Sequence, residues 1–489
     1  MDALLKGCTE SVFRGDRLRD KALPKNRFRL RAATCLGDRL FGVRRLRRGS
    51  TELAGAITLL ALFAFSPARG FANQFLPEER VTSDTHEYQM TLNPNHSMDV
   101  DANGVVHLVF WEGGLETSLR NPSAVWYCRR EPNGSWSPPV MVDNSHTSGG
   151  ARLGGRHPSL VVLPDGTVHV FWHDYRHCTA SGKWIDNIEI YMDTCPPGGS
   201  FSETDVRLTS TTAGHSGDNG YLPKAVAAPD GTISLAWYDY HFDPEVADIF
   251  LMRSDTQGRF DPQIPLASHR ITTSSLQPDG TSFAVPDPAI DAAGYTHLTW
   301  TTAFQAGSGI QYARLDPQGL LVVPPISMVS INQYLLPPQI VGAPAGDIYL
   351  TSLEGTPIPE ARNLAIRRLR PGAADFDDPV EVVEGDMSLR AALRIEGSGL
   401  LHIAYTGHNA EFDAAVFHRI YNADMKTILS DIQVSVDADS PQDPCIALDR
   451  RGNVYIAWVD YRHANGQVYF RTNVMQSCAV RNSWPQYSE

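Results

Sequence analysis

Apolar and polar residues alternate along most of the chain after residue 72, with the period of two that is typical of half-buried β-strands. One such alternating stretch covers residues 168–172, and tight turns such as Pro-Asp-Gly at 164–166 and 229–231 bound the strands. Apolar runs joined by turns of this kind are typical of β-hairpins. Because no helical periodicity separates the strands, the pattern predicts an all-β protein.

The strands recur in a unit marked by a turn glycine. These glycines are Gly104, Gly166, Gly231, Gly294, Gly346, Gly399 and Gly452, at spacings of 62, 65, 63, 52, 53 and 53 residues. A proline stands eight residues before five of them, and an aromatic residue stands six residues after six of them. Each unit has room for four strands, and such repeats are typical of propeller blades. The sequence therefore predicts a seven-bladed β-propeller of four-stranded antiparallel blades.

The seventh unit has no fourth strand of the usual kind before the chain ends. The missing strand has a counterpart near the start, because residues 80–83 (RVTS) resemble the outer-strand sequences at 207–210 (RLTS) and 270–273 (RITT). We therefore expect the N-terminal segment to complete the last blade. On this interpretation residues 73–489 form a single propeller that is closed by a sheet ladder.

Residues 1–72 differ from the rest in composition. They contain 15 Lys and Arg against six acidic residues, with an apolar run at 53–65 and small residues after it. The run is shorter than the roughly 20 residues that span a bilayer, so it indicates a signal peptide, with translation starting near Val43. We expect an exported protein, periplasmic, at the cell surface or extracellular, with no integral membrane segment after signal removal.

The net charge and the cysteine content argue against some classes of ligand. Without residues 1–72 the net charge falls from −13 to −22, which argues against nucleic-acid binding and means that an acidic ligand needs a local cluster of arginines. Five cysteines remain, at no spacing typical of a zinc site. We therefore predict no metal and no cofactor.

The two faces of the predicted ring differ in their loops. The turn-glycine hairpins are short and plain, whereas the opposite loops are long and rich in Arg, His, Tyr and Asp. Binding groups concentrate in loops held by a rigid scaffold, so we expect the site on this face, at the mouth of the central channel. The polar residues just before each first strand should surround the mouth: Arg156, His157, Tyr221, Arg390, Gln442 and Asp443. The alternative is a polar rim without activity.

Several other polar residues occupy repeat positions. His107, His169, His297 and His402 each stand three residues after the turn glycine, a position that predicts packing inside the blades. Asp-Tyr-Arg-His occurs at 174–177 and at 460–463, and Asp239-Tyr240-His241 matches it in part. This repeat is either an Asp–Arg pair that fixes the loop or part of a carbohydrate groove, which combines aromatic faces with bidentate donors.

Arg156-His157-Pro158-Ser159-Leu160, with residues 163–167 after it, resembles the Arg-Ile-Pro element of the sialidase superfamily. Residues 131–136 and 254–260 are similar to the Asp-box (BNR) repeats of that family. The resemblance implies that Arg156 holds the carboxylate of an acidic sugar. It also implies that Asp186 is the acid/base residue and Arg390 a second carboxylate clamp.

Sialidases have six blades, whereas seven-bladed relatives include polysaccharide lyases that act on uronate polymers with a His and Tyr pair and an Arg. The chain is similar to these lyases in blade number and in residue types. Three classes stay open: a sialidase-like glycoside hydrolase, a polysaccharide lyase, and a propeller that binds a carbohydrate or protein without catalysis. The predicted catalytic residues are Asp186, His157, Tyr221 and Tyr240, and the predicted substrate-binding residues are Arg156, Arg176, Arg390, His173, Asp174, Tyr175, Asp239 and Asp443.

Overall fold

A computed structural model of the chain describes residues 75–473. The undescribed gaps are 92–93, 114–122, 145–153, 179–186, 211–219, 243–245, 262, 273–284, 302–308, 331–337, 356–361 and 387–389. The predicted leader at 1–72 and the predicted catalytic residue Asp186 lie outside the described residues. Within the described ranges, no helix is both long enough and apolar enough to cross a bilayer.

The described residues form 28 strands and two short 3₁₀ helices, the latter at Pro94–His96 and Leu266–His269. Two strands precede the blades, β1 (Glu79–Arg80) and β2 (Tyr88–Gln89). Blade 1 contains β3 (Met98–Val100), β4 (Val106–Glu112), β5 (Ala124–Arg130) and β6 (Val140–Met141). Blade 2 contains β7 (Gly155–Val162), β8 (Val168–Asp174), β9 (Glu189–Cys195) and β10 (Val206–Arg207). Blade 3 contains β11 (Gly220–Ala227), β12 (Ile233–Asp239) and β13 (Asp248–Arg253).

The remaining blades repeat this order. Blade 4 contains β14 (Asp287–Ile290), β15 (Thr296–Thr301), β16 (Gly309–Leu315) and β17 (Leu321–Ser330). Blade 5 contains β18 (Gln339–Gly342), β19 (Ile348–Gly355), β20 (Arg362–Leu369) and β21 (Val380–Asp386). Blade 6 contains β22 (Ala391–Ile395), β23 (Leu401–His408), β24 (Ala414–Tyr421) and β25 (Thr427–Gln433). Blade 7 contains β26 (Gln442–Leu448), β27 (Val454–His463) and β28 (Asn465–Thr472).

Each blade is an antiparallel sheet whose strands pair in chain order. In blade 3 the fourth position is held by a single bridge between Phe250 and Arg270. In blade 1, β2 pairs with one end of β4 while β3 pairs with the other. The prediction of a seven-bladed, all-β propeller is confirmed.

The N-terminal strand completes blade 7. β1 pairs with β28 through Glu79↔Phe470 and Arg80↔Tyr469, and the backbone N–H of Leu76 donates to the carbonyl of Thr472 at 2.8 Å. The first strand of the described chain is therefore the outer strand of the last blade, which confirms the predicted closure: residues from both ends of the described chain share one sheet.

The residues at the repeat positions have the backbone conformation and the burial that their spacing predicts. All seven turn glycines have positive φ between 78° and 90°, and at Gly231 an added Cβ would also lie 2.4 Å from the carbonyl oxygen of Thr256. The aromatic position six residues later is buried in every blade that carries it. The four repeat histidines are buried and hydrogen-bond neighbouring side chains, as in His107 Nδ1 to the Tyr127 hydroxyl at 2.7 Å. These histidines belong to the core of the blades.

The segment that carries the 3₁₀ helix Pro94–His96 lies on the axis of the ring, and we call residues 94–96 the channel plug. The Asn95 side chain accepts a hydrogen bond from the backbone of Leu393 in blade 6 at 2.7 Å. His96 Nε2 lies 2.7 Å from Asp287 in blade 4. The plug also contacts the innermost strands of blades 2, 3 and 7. A segment in contact with blades 2, 3, 4, 6 and 7 must lie between them, so the plug lies inside the channel.

Candidate functional site

Three innermost strands begin with the same irregularity, at the mouth where the site is predicted. β7, β11 and β26 each have a register shift, between Arg156 and Ser159, between Tyr221 and Lys224, and between Gln442 and Cys445. In each, the residue before the proline has positive φ: 52° for His157, 52° for Leu222 and 47° for Asp443. This conformation is unfavourable for a residue with a side chain, and bulges of this kind reorient side chains next to functional sites.

Arg156 is the partly exposed cation of the mouth. Its guanidinium carbon lies 5.5 Å from the ring centre of Trp111 and 4.9 Å from that of Tyr175. Its Nε is buried without a hydrogen-bond partner, and no carboxylate among the described residues forms an ion pair with it. A guanidinium held by aromatic rings and lacking a counter-ion is suited to bind an anion.

Two imidazoles lie beside this arginine. The ring centres of His157 and His173 are 5.3 Å apart, and His157 also packs on Trp111 at 4.9 Å. Burial, reinforced by the charges of Arg156 and Lys224, lowers the pKa of His173 to about 3. Burial and the same charges, together with His173, hold the pKa of His157 well below its usual 6.5. Both imidazoles are therefore neutral at pH 7.

The hydrogen bonding of His173 fixes its tautomer. Its Nδ1 accepts a hydrogen bond from the backbone N–H of Leu222 at 3.1 Å, so the neutral ring carries its proton on Nε2. That Nε2 is buried and has no partner within the described part of the chain. His173 therefore presents a hydrogen-bond donor, so a proton acceptor in this cluster must be another residue.

Tyrosines from blades 2 and 3 complete the cluster. Tyr175 and Tyr221 lie 5.4 Å and 5.6 Å from the His173 ring, and Tyr240 packs edge-on against Tyr221 at 6.2 Å. Burial raises the pKa of Tyr175, and burial with the neighbouring tyrosines raises that of Tyr221 well above 10. Both phenols remain protonated at neutral pH and act as donors.

A second cation lies on the mouth at blades 6 and 7. Arg390 Nε is 3.5 Å from Asp443 Oδ1. Burial raises the pKa of Asp443, while Arg390 and Lys224 act in the opposite direction. Unlike Arg156, Arg390 already faces a carboxylate, so it is the less available of the two arginines.

Asp174 and Arg176 do not join the cluster. Arg176 forms ion pairs with Asp174 at 2.7 Å and with Asp205 at 2.5 Å, and it stacks on the Tyr191 ring at 4.1 Å. Asp174 also accepts a hydrogen bond from Trp172 Nε1 at 2.9 Å. These contacts tie both residues to the strands of blade 2.

The same arrangement recurs in other blades. In blade 7, Arg462 pairs with Asp460 at 2.7 Å and Trp458 Nε1 donates to that carboxylate. In blade 3, Trp237 Nε1 donates to Asp239 at 3.3 Å. Of the two interpretations of the Asp-Tyr-Arg-His repeat, these contacts favour the one in which its Asp and Arg fix a loop.

Tyr238, on the face where the sequence predicts the site, also belongs to the cluster and stacks on Tyr221 at 5.3 Å. Two further residues of the cluster were not found from the sequence. Trp111 is an apolar-strand residue by pattern, yet it contacts Arg156 and His157. The other, Lys224, is wholly buried below the mouth. A signal did exist for it, because the equivalent residues are mostly uncharged: Ser97, Ser159, Asp287, Gln339, Ala392 and Cys445.

No group of three or more His, Cys, Asp or Glu side chains able to hold a metal occurs within the described ranges. The four cysteines there are buried and form no disulfide: Cys128, Cys178, Cys195 and Cys445.

Fold and site together define a seven-bladed propeller with a basic, aromatic site at one mouth of its channel. No family profile and no curated protein sequence matches the chain. The structure is similar to a polysaccharide lyase (TM-score 0.49, 13% identity, 81% of this chain and 99% of that chain covered). It is also similar to a copper-bound fungal alcohol oxidase (0.48, 9%, 82% and 76%).

A third similar structure is the GH93 α-L-arabinofuranosidase of Fusarium graminearum in complex with arabinobiose (TM-score 0.43, 13% identity, 74% of this chain and 98% of that chain covered). The propeller neighbours of this chain thus include carbohydrate-active proteins. Because one fold supports many activities and these identities are low, what the chain itself does must be inferred from its own residues.

Proposed function

We propose that the protein is an exported polysaccharide lyase that binds a uronate-containing glycan at the channel mouth. The observation that carries this proposal is Arg156, which lacks a carboxylate partner among the described residues and lies against two neutral imidazoles. A uronate supplies the missing carboxylate. A charge-assisted hydrogen bond to it contributes about 1.5–3 kcal/mol.

The reaction is a β-elimination that needs no water and no cofactor. Neutral His157 takes the proton from the carbon beside the carboxylate, and that electron pair forms a double bond to the neighbouring carbon. The glycosidic carbon–oxygen bond breaks, and a phenol, Tyr221 or Tyr240, protonates the leaving oxygen. Arg156 and the Nε2–H of His173 stabilise the charge that develops on the carboxylate. The negative charge of the bound sugar raises the pKa of His157, which strengthens it as a base.

Sialidase-like hydrolysis is the second candidate, because Arg156 in its Arg-His-Pro element would hold the carboxylate of a sialic acid equally well. Sialidases replace one of the usual two carboxyl groups with a tyrosine nucleophile, so their hydrolysis still needs one acid/base carboxyl group beside the scissile bond. Among the described residues of the mouth, Asp443 already faces Arg390 at 3.5 Å. The donors and the neutral base of the cluster therefore favour elimination.

An activity assay on a panel of uronate polymers and sialosides distinguishes the candidate functions. The lyase releases products that absorb in the ultraviolet through their new double bond and whose mass is one water lower than that of hydrolysis products. We expect such products from a uronate polymer and none from the His157→Ala variant. Water-added products would establish a hydrolase, and glycan binding without turnover would establish a binding propeller.

A further inference from the structure

The hairpin turn between β23 and β24 of blade 6 holds an aromatic ring out in solvent. Phe412 in this turn is 85% exposed and has a positive φ of 65°. Its backbone N–H donates to the Asn409 carbonyl at 3.0 Å, and the Asn409 N–H donates to the Asp413 carbonyl at 2.9 Å. The Asn409 side chain also accepts hydrogen bonds from the backbone N–H groups of Glu411 and Asp413, at 3.0 Å and 2.9 Å. These contacts fix the backbone that carries the ring.

The left-handed conformation makes phenylalanine an unfavourable residue at this position. Turns with the same pair of backbone hydrogen bonds have glycine there, at the seven turn glycines and at Gly134, Gly258 and Gly319. A bulky side chain in this conformation is costly, and contacts elsewhere must compensate for it. Met425, in the β24–β25 turn with φ 59°, has such contacts because it packs against the core of blades 5 and 6. The ring of Phe412 is exposed instead, so packing within the blade does not explain it.

The turn that carries Phe412 lies on the mouth side of blade 6. Arg390 comes directly before β22 and lies beside Thr406 of β23: its backbone N–H donates to the Thr406 hydroxyl, and its carbonyl accepts from the Thr406 N–H, both at 2.9 Å. β23 continues to His408 and then enters the turn. Because a strand advances about 3.3 Å per residue, His408 lies about 7 Å beyond Thr406. The ring therefore projects from the same face as Arg390, across the mouth from Arg156 of blade 2.

The surroundings of the ring suit a sugar better than a protein. Ala410, Glu411 and Asp413 beside it are exposed, and two of them carry carboxylates. Protein interfaces centre on contiguous apolar patches with few charges, which this turn does not offer. The C–H groups of a sugar ring pack against the electron-rich face of an aromatic ring, and carboxylates accept hydrogen bonds from sugar hydroxyls. Since the same carboxylates repel a uronate, the sugar that stacks here is uncharged.

We propose that Phe412 is a stacking platform for an uncharged sugar of the same glycan whose uronate binds Arg156. The proposal rests on the function proposed above and narrows its substrate to a polymer that joins uronates to uncharged sugars and is long enough to cross the mouth. Because the backbone of the turn is already fixed, little freedom is lost when a sugar stacks on the ring.

The test measures binding by affinity electrophoresis in gels that contain a polysaccharide. Hyaluronan, xanthan and glucuronoxylan combine uronates with uncharged sugars, whereas alginate and polygalacturonate consist of uronates alone. We expect at least one of the mixed polymers to retard the protein more than either uronate-only polymer does. Phe412→Gly should weaken this binding about tenfold. Phe412→Tyr should keep it and Phe412→Leu should lose it, because stacking needs the ring.

Met425→Gly is the matched control, since it changes the same turn position at the opposite face of blade 6. It should leave the retardation unchanged and lower the melting temperature, because Met425 packs against the core. Phe412→Gly should not lower the melting temperature, because glycine adopts the left-handed conformation without strain. A folded Phe412→Gly variant that no longer binds would therefore assign the ring to the glycan.

Unchanged retardation of Phe412→Gly, full retardation of Phe412→Leu, or no retardation of the protein by any mixed polymer would overturn the proposal. So would a light-scattering mass that falls from dimer to monomer in Phe412→Gly, which would assign the ring to a contact between two copies of the chain. Turnover of a uronate polymer that is insensitive to Phe412→Gly would refute the platform and leave the lyase. Retardation that depends on Phe412, without turnover, would refute the lyase and leave the platform.

Discussion

At the scale of single residues, two arginines of blade 2, Arg156 and Arg176, differ in their partners. Arg176 has two carboxylates, Asp174 and Asp205, at 2.7 Å and 2.5 Å. Arg156 has aromatic rings and no carboxylate within the described ranges. The fold supplies the counter-ions of Arg176, whereas the proposed ligand would supply that of Arg156, so the same substitution at the two positions should separate binding from stability.

We predict that Arg156→Lys weakens binding of a uronate oligosaccharide about tenfold to a hundredfold, as lysine keeps the charge but loses the planar, bidentate donor set, worth about 1.5–3 kcal/mol. Titration calorimetry measures the change. The melting temperature should stay within a few degrees of that of the unsubstituted protein.

Arg176→Lys is the matched control for this prediction. It should lower the melting temperature, because the ion pairs of Arg176 lie largely buried in blade 2, and it should leave the affinity unchanged. The reverse pattern, in which Arg176→Lys weakens binding and Arg156→Lys weakens the fold, would assign Arg156 to the scaffold.

At the scale of elements, one short strand connects the two ends of the ring. Glu79 of β1 accepts hydrogen bonds from Arg130 Nε at 2.9 Å and Nη2 at 2.7 Å, and from Trp136 Nε1 at 2.7 Å. Arg130 and Trp136 belong to blade 1, whereas β1 pairs with β28 of blade 7. This carboxylate therefore joins the first blade to the last.

We predict that Glu79→Ala lowers the free energy of unfolding by about 2–4 kcal/mol, because it leaves the buried Arg130 without its partner. Chemical denaturation measures the change. Glu131→Ala, which removes an exposed pair with Arg129 at 3.0 Å, is the control and should cost less than about 1 kcal/mol. Equal effects of the two substitutions would mean that the closure adds nothing beyond a surface ion pair.

The elements were predictable from the sequence because each blade repeats the same requirements. A positive-φ glycine, a buried aromatic residue and alternating strands recur at fixed spacing, so each unit supports the interpretation of the others. The bulges before Pro158, Pro223 and Pro444 were not predicted, since the left-handed conformation of the preceding residue has no sequence requirement as strict as that of glycine. The channel plug was not predicted either, because Pro94–His96 occupies the place where a first strand was expected to begin.

At the scale of the whole molecule, the place of a polar residue in the ring, more than its residue type, decides whether it belongs to the site. Six residues meet at one mouth because the consecutive blades 2 and 3 pack side by side around the axis: Arg156, His157, His173, Tyr175, Tyr221 and Tyr240. Asp174 and Arg176 have the same residue types and lie nearby in the chain, yet local partners hold them in the blade. Sequence alone could not separate these two outcomes, because the partner Asp205 is 29 residues away from Arg176.

The whole ring also carries many buried imidazoles, and this sets its response to acid. Burial lowers the pKa of His107 and His169 to about 4 and that of His173 to about 3, and it holds those of His157 and His418 well below 6.5. An unfolded chain binds protons at these groups near pH 6.5, whereas the folded ring does not. Stability therefore falls as pH decreases from about 6.5 toward 4, by about 1.4 kcal/mol per pH unit for each such group.

Buried carboxyl groups act in the opposite direction but are fewer. Burial raises the pKa of Asp193 to about 6 and also raises those of Glu87, Asp99 and Asp443, so these groups bind protons in the folded ring first and stabilise it in acid. We predict that the imidazoles outweigh them, with the free energy of unfolding at pH 5 several kcal/mol below that at pH 7. Urea denaturation at half-unit pH steps measures the slope. His463→Asn, at an exposed position, should leave the slope unchanged, and a stability that is flat or rises toward pH 5 would contradict the neutral burial of these histidines.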